Sequence, residues 1–167
     1  MARATHVKKA RKDIPGTDIK AGDSYYWWKF MVGGRGGPKH YSKEQPRPSQ
    51  LTQSEYLGTL YDLQDRLSAL PADSSLADEV QSLVDDIRQL GEDQTDKLNN
   101  MPDSLQQSST GEMLQERADA MESAASELEG LDLSEYDKEE HGDDYDTEEE
   151  YWQAKLEEIH NSISLEG

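Results

Sequence analysis

Apolar residues from position 56 onward recur at alternating intervals of four and three residues, and this spacing limits the folds open to the chain. It produces three stripes, which comprise Tyr56, Leu60, Leu63, Leu67 and Leu70, then Leu76, Val80, Leu83, Ile87 and Leu90, and later Leu114, Ala118, Met121, Ala125 and Leu128. Side chains at such intervals lie on one face of an α-helix. Because the average interval is about 3.5 residues, the pattern predicts antiparallel, coiled-coil-like packing in a helical bundle.

Capping and helix-ending residues place the predicted helices along the chain. Four helices are predicted, over residues 51–70, 74–101, 109–130 and 147–164. Thr52 and Ser109 each precede a glutamate by three residues, which is the capping-box pattern, and Asp146 can cap the last helix. Gly130 ends the third helix. Polar residues interrupt the second stripe over 91–96, which predicts a weak or bent stretch there.

The first 50 residues have a different character. The segment 25–32, with the sequence YYWWKFMV, is rich in β-favouring residues and follows a turn signal at Gly22-Asp23. The glycine-rich stretch over 33–38 predicts a flexible hairpin loop, and His40-Tyr41 predicts a short return strand. The predicted fold class is therefore mainly α with a small N-terminal β-hairpin module.

The sign of the net charge also changes after residue 50. Residues 1–50 contain 11 lysines and arginines against 4 aspartates and glutamates, whereas residues 51–167 contain 6 against 32. The predicted domains are a basic, aromatic module at 1–50, an acidic helical bundle at 51–131, an acidic linker at 132–146 and a C-terminal helix at 147–167. Such asymmetry predicts different tasks for the two parts, or association between them.

The carboxylates of the second and third predicted helices are the leading candidates for a binding surface. Those off the apolar stripes are Asp78, Glu79, Asp85, Asp86, Glu92, Asp93, Asp96, Glu112, Glu116 and Asp119. Duplex DNA carries one negative charge per about 1.7 Å of its axis, and acidic helices can approximate that density. The leading hypothesis is a DNA mimic that occupies the basic groove of a nucleic-acid-binding protein. The alternative is a solvated face of a structural coiled coil that only forms homo-oligomers.

The basic, aromatic module supports a different hypothesis, in which the chain is an adaptor that binds single-stranded nucleic acid. On a strand, Tyr26, Trp28 and Phe30 lie on one face, where they can stack on bases while cations hold phosphates. The candidate residues are Lys8, Lys9, Arg11, Lys12, Tyr26, Trp28, Lys29, Phe30, Arg35 and Lys39. The competing interpretation uses these aromatics as the core of a small module. Because the acidic part repels phosphate, a protein partner ranks above direct nucleic-acid binding.

Several segments resemble a family of small uncharacterised phage-encoded proteins. The resemblance lies in IKAGDSYYWWKF, in the KHYSK and RPSQLTQSEYLGTLYDLQDRL segments, and more loosely in MLQERADAMESAASELEGLDL. In the family, the front segment resembles a zinc ribbon, with cysteine pairs at places that KDIPGTDIKAGD and KHYSKEQP occupy here without cysteine. The resemblance therefore implies a phage origin and a degenerate zinc ribbon, whose hairpin is kept without the metal. It also makes the expected partner a nucleic-acid-handling or defence protein of the host.

No catalytic residue, metal site or cofactor is predicted, and we expect the protein not to be an enzyme. The chain has no cysteine, its four histidines are scattered, and it contains no phosphate-binding or nucleophile-elbow motif. Asp137, Glu139, His141, Gly142 and Glu148 fall in an EF-hand-like spacing, but the histidine departs from it, so we expect only loose attraction of divalent cations. Without a membrane-length apolar run or a signal peptide, we expect a soluble cytoplasmic protein, in the host cytoplasm if it is phage-encoded.

Overall fold

Helices make up most of the chain, and a small sheet precedes them. The computed structural model describes residues 1–141, 144–163 and 165. The elements in order are β1 (Thr5–Val7), β2 (Tyr25–Val32), β3 (Arg35–Ser42), a 3₁₀-helix (Pro48–Leu51), α1 (Glu55–Ser68), α2 (Leu76–Asn99), α3 (Asp103–Gln106), α4 (Ser109–Glu129), α5 (Lys138–His141) and α6 (Glu148–Ser162). The prediction of a mainly α chain with a small N-terminal β module is confirmed. The predicted ends of the last helix at 164 and of the last domain at 167 lie outside the described residues.

The three strands form one antiparallel sheet with β2 in its centre. Val32 pairs with Arg35, so the hairpin turns over only Gly33 and Gly34, whose φ angles are 57° and 78°. A type I′ turn requires this left-handed conformation at both positions, and glycine adopts it without a steric penalty. The predicted loop as far as Pro38 was therefore wrong, because β3 begins directly after the turn.

The chain divides into two compact units, Met1–Tyr61 and Asp62–Gly167. The division falls inside α1, whereas the sequence predicted a boundary after residue 50. In the first unit the buried apolar residues are Ala10, Ile19, Trp28, Tyr56 and Leu60. The segment between β1 and β2 is tied to itself, because the Ala10 amide donates to the Asp23 carbonyl at 2.7 Å and the Gly22 amide donates to the Ala10 carbonyl at 2.9 Å.

In the second unit, α2 and α4 bury the two predicted stripes completely. All ten stripe residues on these helices are buried. A Cβ at the buried Gly91 would lie 3.1 Å from the Cβ of Met121, so the missing side chain allows close approach of the helices. Gln94 is also buried, and its Nε2 donates to the Leu90 carbonyl at 3.3 Å. The predicted weak or bent stretch over 91–96 lies within α2, which is continuous from Leu76 to Asn99.

The capping hydroxyls lie next to the predicted ones along the chain. Ser54 accepts from the Leu57 amide at 3.3 Å, and Ser108 accepts from the Gly111 amide at 3.4 Å. Thr147 accepts from the Glu150 amide at 3.2 Å. The predicted caps at Thr52, Ser109 and Asp146 are corrected accordingly. Several capping-type residues stand together at each helix start, and the pattern alone does not choose among them.

The predicted acidic linker over 132–146 carries ordered structure. It contains α5, and the Tyr136 ring lies 5.5 Å from the ring of Tyr151 on α6. Tyr151 is 1% exposed, and its hydroxyl donates to the Ser134 carbonyl at 2.8 Å. The described part of this segment is therefore packed against α6 through its aromatic residues, although most of its carboxylates remain exposed.

Candidate functional site

The ten predicted carboxylates on α2 and α4 are all exposed. They fall there because the apolar stripe of each helix occupies the face that packs inward, which leaves the remaining positions to water. On α2 they form two rows with a spacing of seven residues. The first acidic row comprises Asp78, Asp85 and Glu92, and the second acidic row comprises Glu79, Asp86 and Asp93. Seven residues make nearly two helical turns, so each row follows one line along the helix.

One groove between α2 and α4, which we call the acidic groove, gathers carboxylates from both helices. They are Glu92 and Asp96 on α2 and Asp119 and Glu122 on α4, and they line a cavity of about 350 Å³. Thr95 and Ala118 line the same cavity, while Arg88 lies beside Glu122. Arg88 lies near Glu122 and Glu129, whereas Gly91, three residues later, lies near Ala118 and Met121, so the two helices run antiparallel.

Arg88 supplies positive charge at one end of the acidic groove. Its guanidinium nitrogens donate to both carboxylate oxygens of Glu129 at 2.6 Å, and its Nε lies 3.9 Å from the Glu122 carboxylate. These hydrogen bonds lower the pKa of Glu129 and raise the pKa of Arg88. The Asp119 carboxylate accepts from the neutral Gln115 amide at 2.8 Å, a bond that leaves its negative charge in place. The negative potential is therefore strongest away from Arg88.

The second acidic row is not part of this groove. Asp86 precedes Arg88 by two residues, which places it about 200° around the helix. It forms an ion pair with Arg66 of α1 instead. Asp93, seven residues later, accepts from Gln89 at 3.1 Å. The predicted surface therefore divides into two separate faces, and the second face is partly neutralised.

The first unit contains a second candidate site, which we call the aromatic groove. Its floor consists of Tyr25 and Trp27 from β2 and Tyr41 from β3, and its volume is about 470 Å³. Four cations line it, and they are Lys9, Arg11, Lys12 and Lys39. The Lys39 ammonium lies 4.4 Å from the centre of the Trp27 ring, and the rings of Tyr25 and Tyr41 lie 6.1 Å apart. All three aromatic residues are half-buried.

One carboxylate also lines the aromatic groove, but its charge is already compensated. Asp13 accepts from the Ala21 amide at 2.8 Å and lies 3.5 Å from the Lys20 ammonium. The hydrogen bond from the Ala21 amide, with help from Lys20, lowers the pKa of Asp13. In the described part of the chain, no carboxylate lies within ion-pair distance of the four lining cations. The groove therefore has a positive character.

The predicted stacking face lies on the opposite side of the sheet. Trp28 is 5% exposed and stacks on His40 with a centroid distance of 5.5 Å, while Tyr26 stacks on His6 at 4.6 Å. Phe30 meets the same His40 ring edge-on. Burial leaves Trp28 unable to stack on a base, so its predicted role was wrong and the competing role in the core is the one it has.

Of the predicted nucleic-acid residues, four line the aromatic groove and six do not. Those outside it are Lys8, Tyr26, Trp28, Lys29, Phe30 and Arg35. Lys29 and Phe30 instead border a smaller hollow beside Met1 and Met31. Tyr25, Trp27 and Tyr41 line the aromatic groove but were not among the residues predicted from the sequence. Strand alternation puts Tyr25 and Trp27 on a shared face, but it does not indicate which face of the sheet is covered.

Metal-binding geometry is absent from the described residues, where no group of three or more histidines, aspartates and glutamates could hold an ion. Within the EF-hand-like spacing, α5 occupies residues 138–141, the second to fifth positions of a calcium loop. His141 lies against the Tyr151 ring at 4.8 Å, and Gly142 is outside the described residues. Across the same described residues, none of the helices combines the length and the apolar character needed to cross a membrane.

No protein-family model, no curated protein and no solved structure matches this chain. The resemblance to small phage-encoded proteins therefore stays a prediction from the sequence. A function for either unit has to be inferred from the geometry and charge of the two grooves.

Proposed function

We propose that the second unit is a non-enzymatic docking unit that binds a basic groove of a nucleic-acid-handling or defence protein, and thereby inhibits it. In this proposal α2 and α4 pack as a coiled-coil-like antiparallel pair and present the first acidic row and the acidic groove. The family resemblance supports a phage origin, with a bacterial host protein as the partner in the host cytoplasm.

The observation that carries the proposal is the density of exposed charge. Seven carboxylates on α2 and six on α4 stand against three basic residues, an excess of ten negative charges. The 24 residues of α2 extend over about 36 Å, a length of duplex that carries about 21 phosphates. A groove that receives only one side of the duplex faces about half of these phosphates, or about ten. Counted over both of its faces, the helix pair therefore carries a net negative charge similar to that of one side of the duplex, over a similar length.

Neutralising the carboxylates of one face tests the proposal. The face variant carries Asp85→Asn, Glu92→Gln, Asp96→Asn and Asp119→Asn, which are nearly isosteric and leave the apolar stripes intact. A matched control variant removes the same charge elsewhere in the unit, through Asp65→Asn, Asp144→Asn, Glu149→Gln and Glu157→Gln, all at exposed positions. Partners retained from a bacterial host lysate by the wild type are compared with those retained by each variant.

A partner that fits the proposal binds the wild type and the control variant alike and binds the face variant at least about tenfold more weakly. Its association rate falls most, because long-range charge sets the encounter rate. The nucleic acid that the partner normally binds competes with this protein for the same groove of the partner. A partner that binds both variants equally, or holds this protein and nucleic acid together, contradicts the proposal. Concentration-dependent self-association with no such partner supports the structural, oligomerising alternative.

A further inference from the structure

We propose that the aromatic groove of the first unit binds single-stranded nucleic acid. Bases stack on the ring faces of Tyr25, Trp27 and Tyr41, and the cations along the groove hold the phosphates. The inference rests on the first unit alone and does not depend on the function proposed for α2 and α4. The proposed binding face, which carries Tyr25 and Trp27, is opposite to the face predicted from the sequence, which carries Tyr26, Trp28 and Phe30.

The sheet holds the three rings in a fixed arrangement. Tyr25 and Trp27 are two residues apart on β2, so they project from the same face, and Trp27 is directly paired with Tyr41 on β3. Each side chain is half-buried, so its base is anchored while part of the ring faces the groove. Rings held in this way lose little conformational freedom when a ligand stacks on them.

The cations of the groove suit a phosphate backbone. Lys9, Arg11 and Lys12 come from the segment that follows β1, and Lys39 comes from β3, so positive charge borders the aromatic floor from two elements. The Lys39 ammonium lies over the face of Trp27. Because that side chain is exposed and has no carboxylate partner in the described residues, it can move to a phosphate when a base takes its place.

Shape and chemistry together select single strands. A volume of about 470 Å³ lies in the range of small-molecule sites, and it is too small to accommodate a duplex. In a duplex, the flat faces of the bases are covered by their neighbours, whereas a single strand can present them to aromatic side chains. An acidic peptide would engage the cations and leave the rings without planar partners.

The test uses the full chain and two labelled probes, an oligothymidylate and an oligouridylate of about 15 nucleotides, near the upper end of known single-strand site sizes. Fluorescence anisotropy is measured at about 50 mM salt, where the phosphate contacts are strong. Trp27→Ala and Tyr41→Ala should each weaken binding by about 5- to 150-fold, which corresponds to the loss of one stacked base. The tighter of the two probes identifies DNA or RNA as the ligand.

Tyr26→Ala is the matched control, because it removes an equally half-buried aromatic residue from the opposite face of β2. It should leave the affinity within about twofold of wild type, and circular dichroism confirms that each variant is folded. A second measurement does not depend on the rings. With four phosphate contacts, the logarithm of the affinity should fall with the logarithm of salt concentration with a slope of about −2.8, and Lys39→Gln should reduce that slope by about 0.7.

Three results would overturn the inference. One is the absence of binding to both probes at about 50 mM salt, since there the electrostatic attraction is only weakly screened. Another is an equal loss of affinity in Tyr26→Ala and Trp27→Ala. The third is inorganic polyphosphate displacing the oligonucleotide as effectively as unlabelled oligonucleotide does, because polyphosphate carries the charge without the bases.

Discussion

The guanidinium of Arg88 on α2 and the carboxylate of Glu129 on α4 are joined by two parallel hydrogen bonds of 2.6 Å each. Such bidentate pairs fix the relative orientation of both groups as well as their distance. Arg88 also lies near Glu122, which precedes Glu129 by about two helical turns along α4. The pair joins α2 and α4 at one end of the acidic groove.

Glu129→Gln should lower the melting temperature slightly at neutral pH and have a smaller effect in acid. The Arg88 guanidinium lowers the pKa of Glu129 from its ordinary value of 4.5 in the folded state. A lowered pKa in the folded state means that the stabilisation is complete above the ordinary value and is lost as the pH falls through the folded one. Thermal unfolding at about pH 7 and about pH 3 measures the effect.

Glu127→Gln is the control for this pH dependence, because it removes an exposed carboxylate from the same helix. Its effect on the melting temperature should be smaller than that of Glu129→Gln at neutral pH. An identical effect of Glu129→Gln at both pH values would contradict the role assigned to Arg88.

Gly111→Ala should destabilise the second unit, because a Cβ at this buried position would lie 1.9 Å from the carbonyl oxygen of Gln106. Relieving that overlap requires the backbone to shift, and we expect a loss of about 1–3 kcal/mol in the free energy of unfolding. Gly58→Ala is the contrasting variant, because its Cβ would have only ordinary contacts, the nearest at 3.9 Å from the Thr52 side chain. It should gain about 0.5–1 kcal/mol from its helical position. Urea unfolding distinguishes the opposite signs.

Leu83→Ala should cost about 2–5 kcal/mol in the free energy of unfolding, since Leu83 is 0% exposed on the stripe of α2. Met113→Ala provides the comparison on α4. Met113 is 38% exposed, and its truncation should change the stability by no more than about 0.5 kcal/mol. Equal denaturation midpoints for Leu83→Ala and the wild type would mean that this stripe is not the core.

Tyr151→Phe tests whether the acidic segment before α6 is held in place. The substitution keeps the buried ring but removes the hydroxyl that donates to the Ser134 carbonyl, which should cost about 0.5–1.5 kcal/mol. Hydrogen exchange at residues 134–136 should speed up in the same variant. Tyr145→Phe changes a half-buried tyrosine in the same cluster and should affect neither measurement as strongly. Unchanged exchange in Tyr151→Phe would refute the anchoring role of the hydroxyl.

The helices were predictable from the sequence because their signal is repeated. Each stripe places several apolar residues on the same helix face, so one ambiguous residue does not change the predicted helix. The exact helix starts were less predictable, since Thr52 and Ser54, or Ser108 and Ser109, are equally suitable caps in sequence. The capping residue is the one whose backbone is extended at the helix start, as it is at Ser108 with φ −83° and ψ 165°, and the sequence pattern does not reveal this.

The candidate sites were predictable only in part. Exposure of the carboxylates followed from the stripes, but the division into two faces depends on Arg66 and Arg88, which reach their partners across helices. Alternation along β2 separated Trp27 from Trp28 correctly. Which of the two is buried depends on the covering of each face, and that is a tertiary property which a single strand does not encode.

Because the three tryptophans differ in burial, the intrinsic tryptophan fluorescence of the protein can report on its state. Trp28 in the first unit is 5% exposed and Trp152 in the second is 3% exposed, so both are shielded from water. Trp27 is half-buried beside a lysine ammonium. An anionic quencher such as iodide, concentrated by the neighbouring cations, will reach Trp27 and leave the other two unaffected. Occupancy of the aromatic groove and unfolding of either unit can therefore be followed by the intrinsic emission of the unlabelled protein.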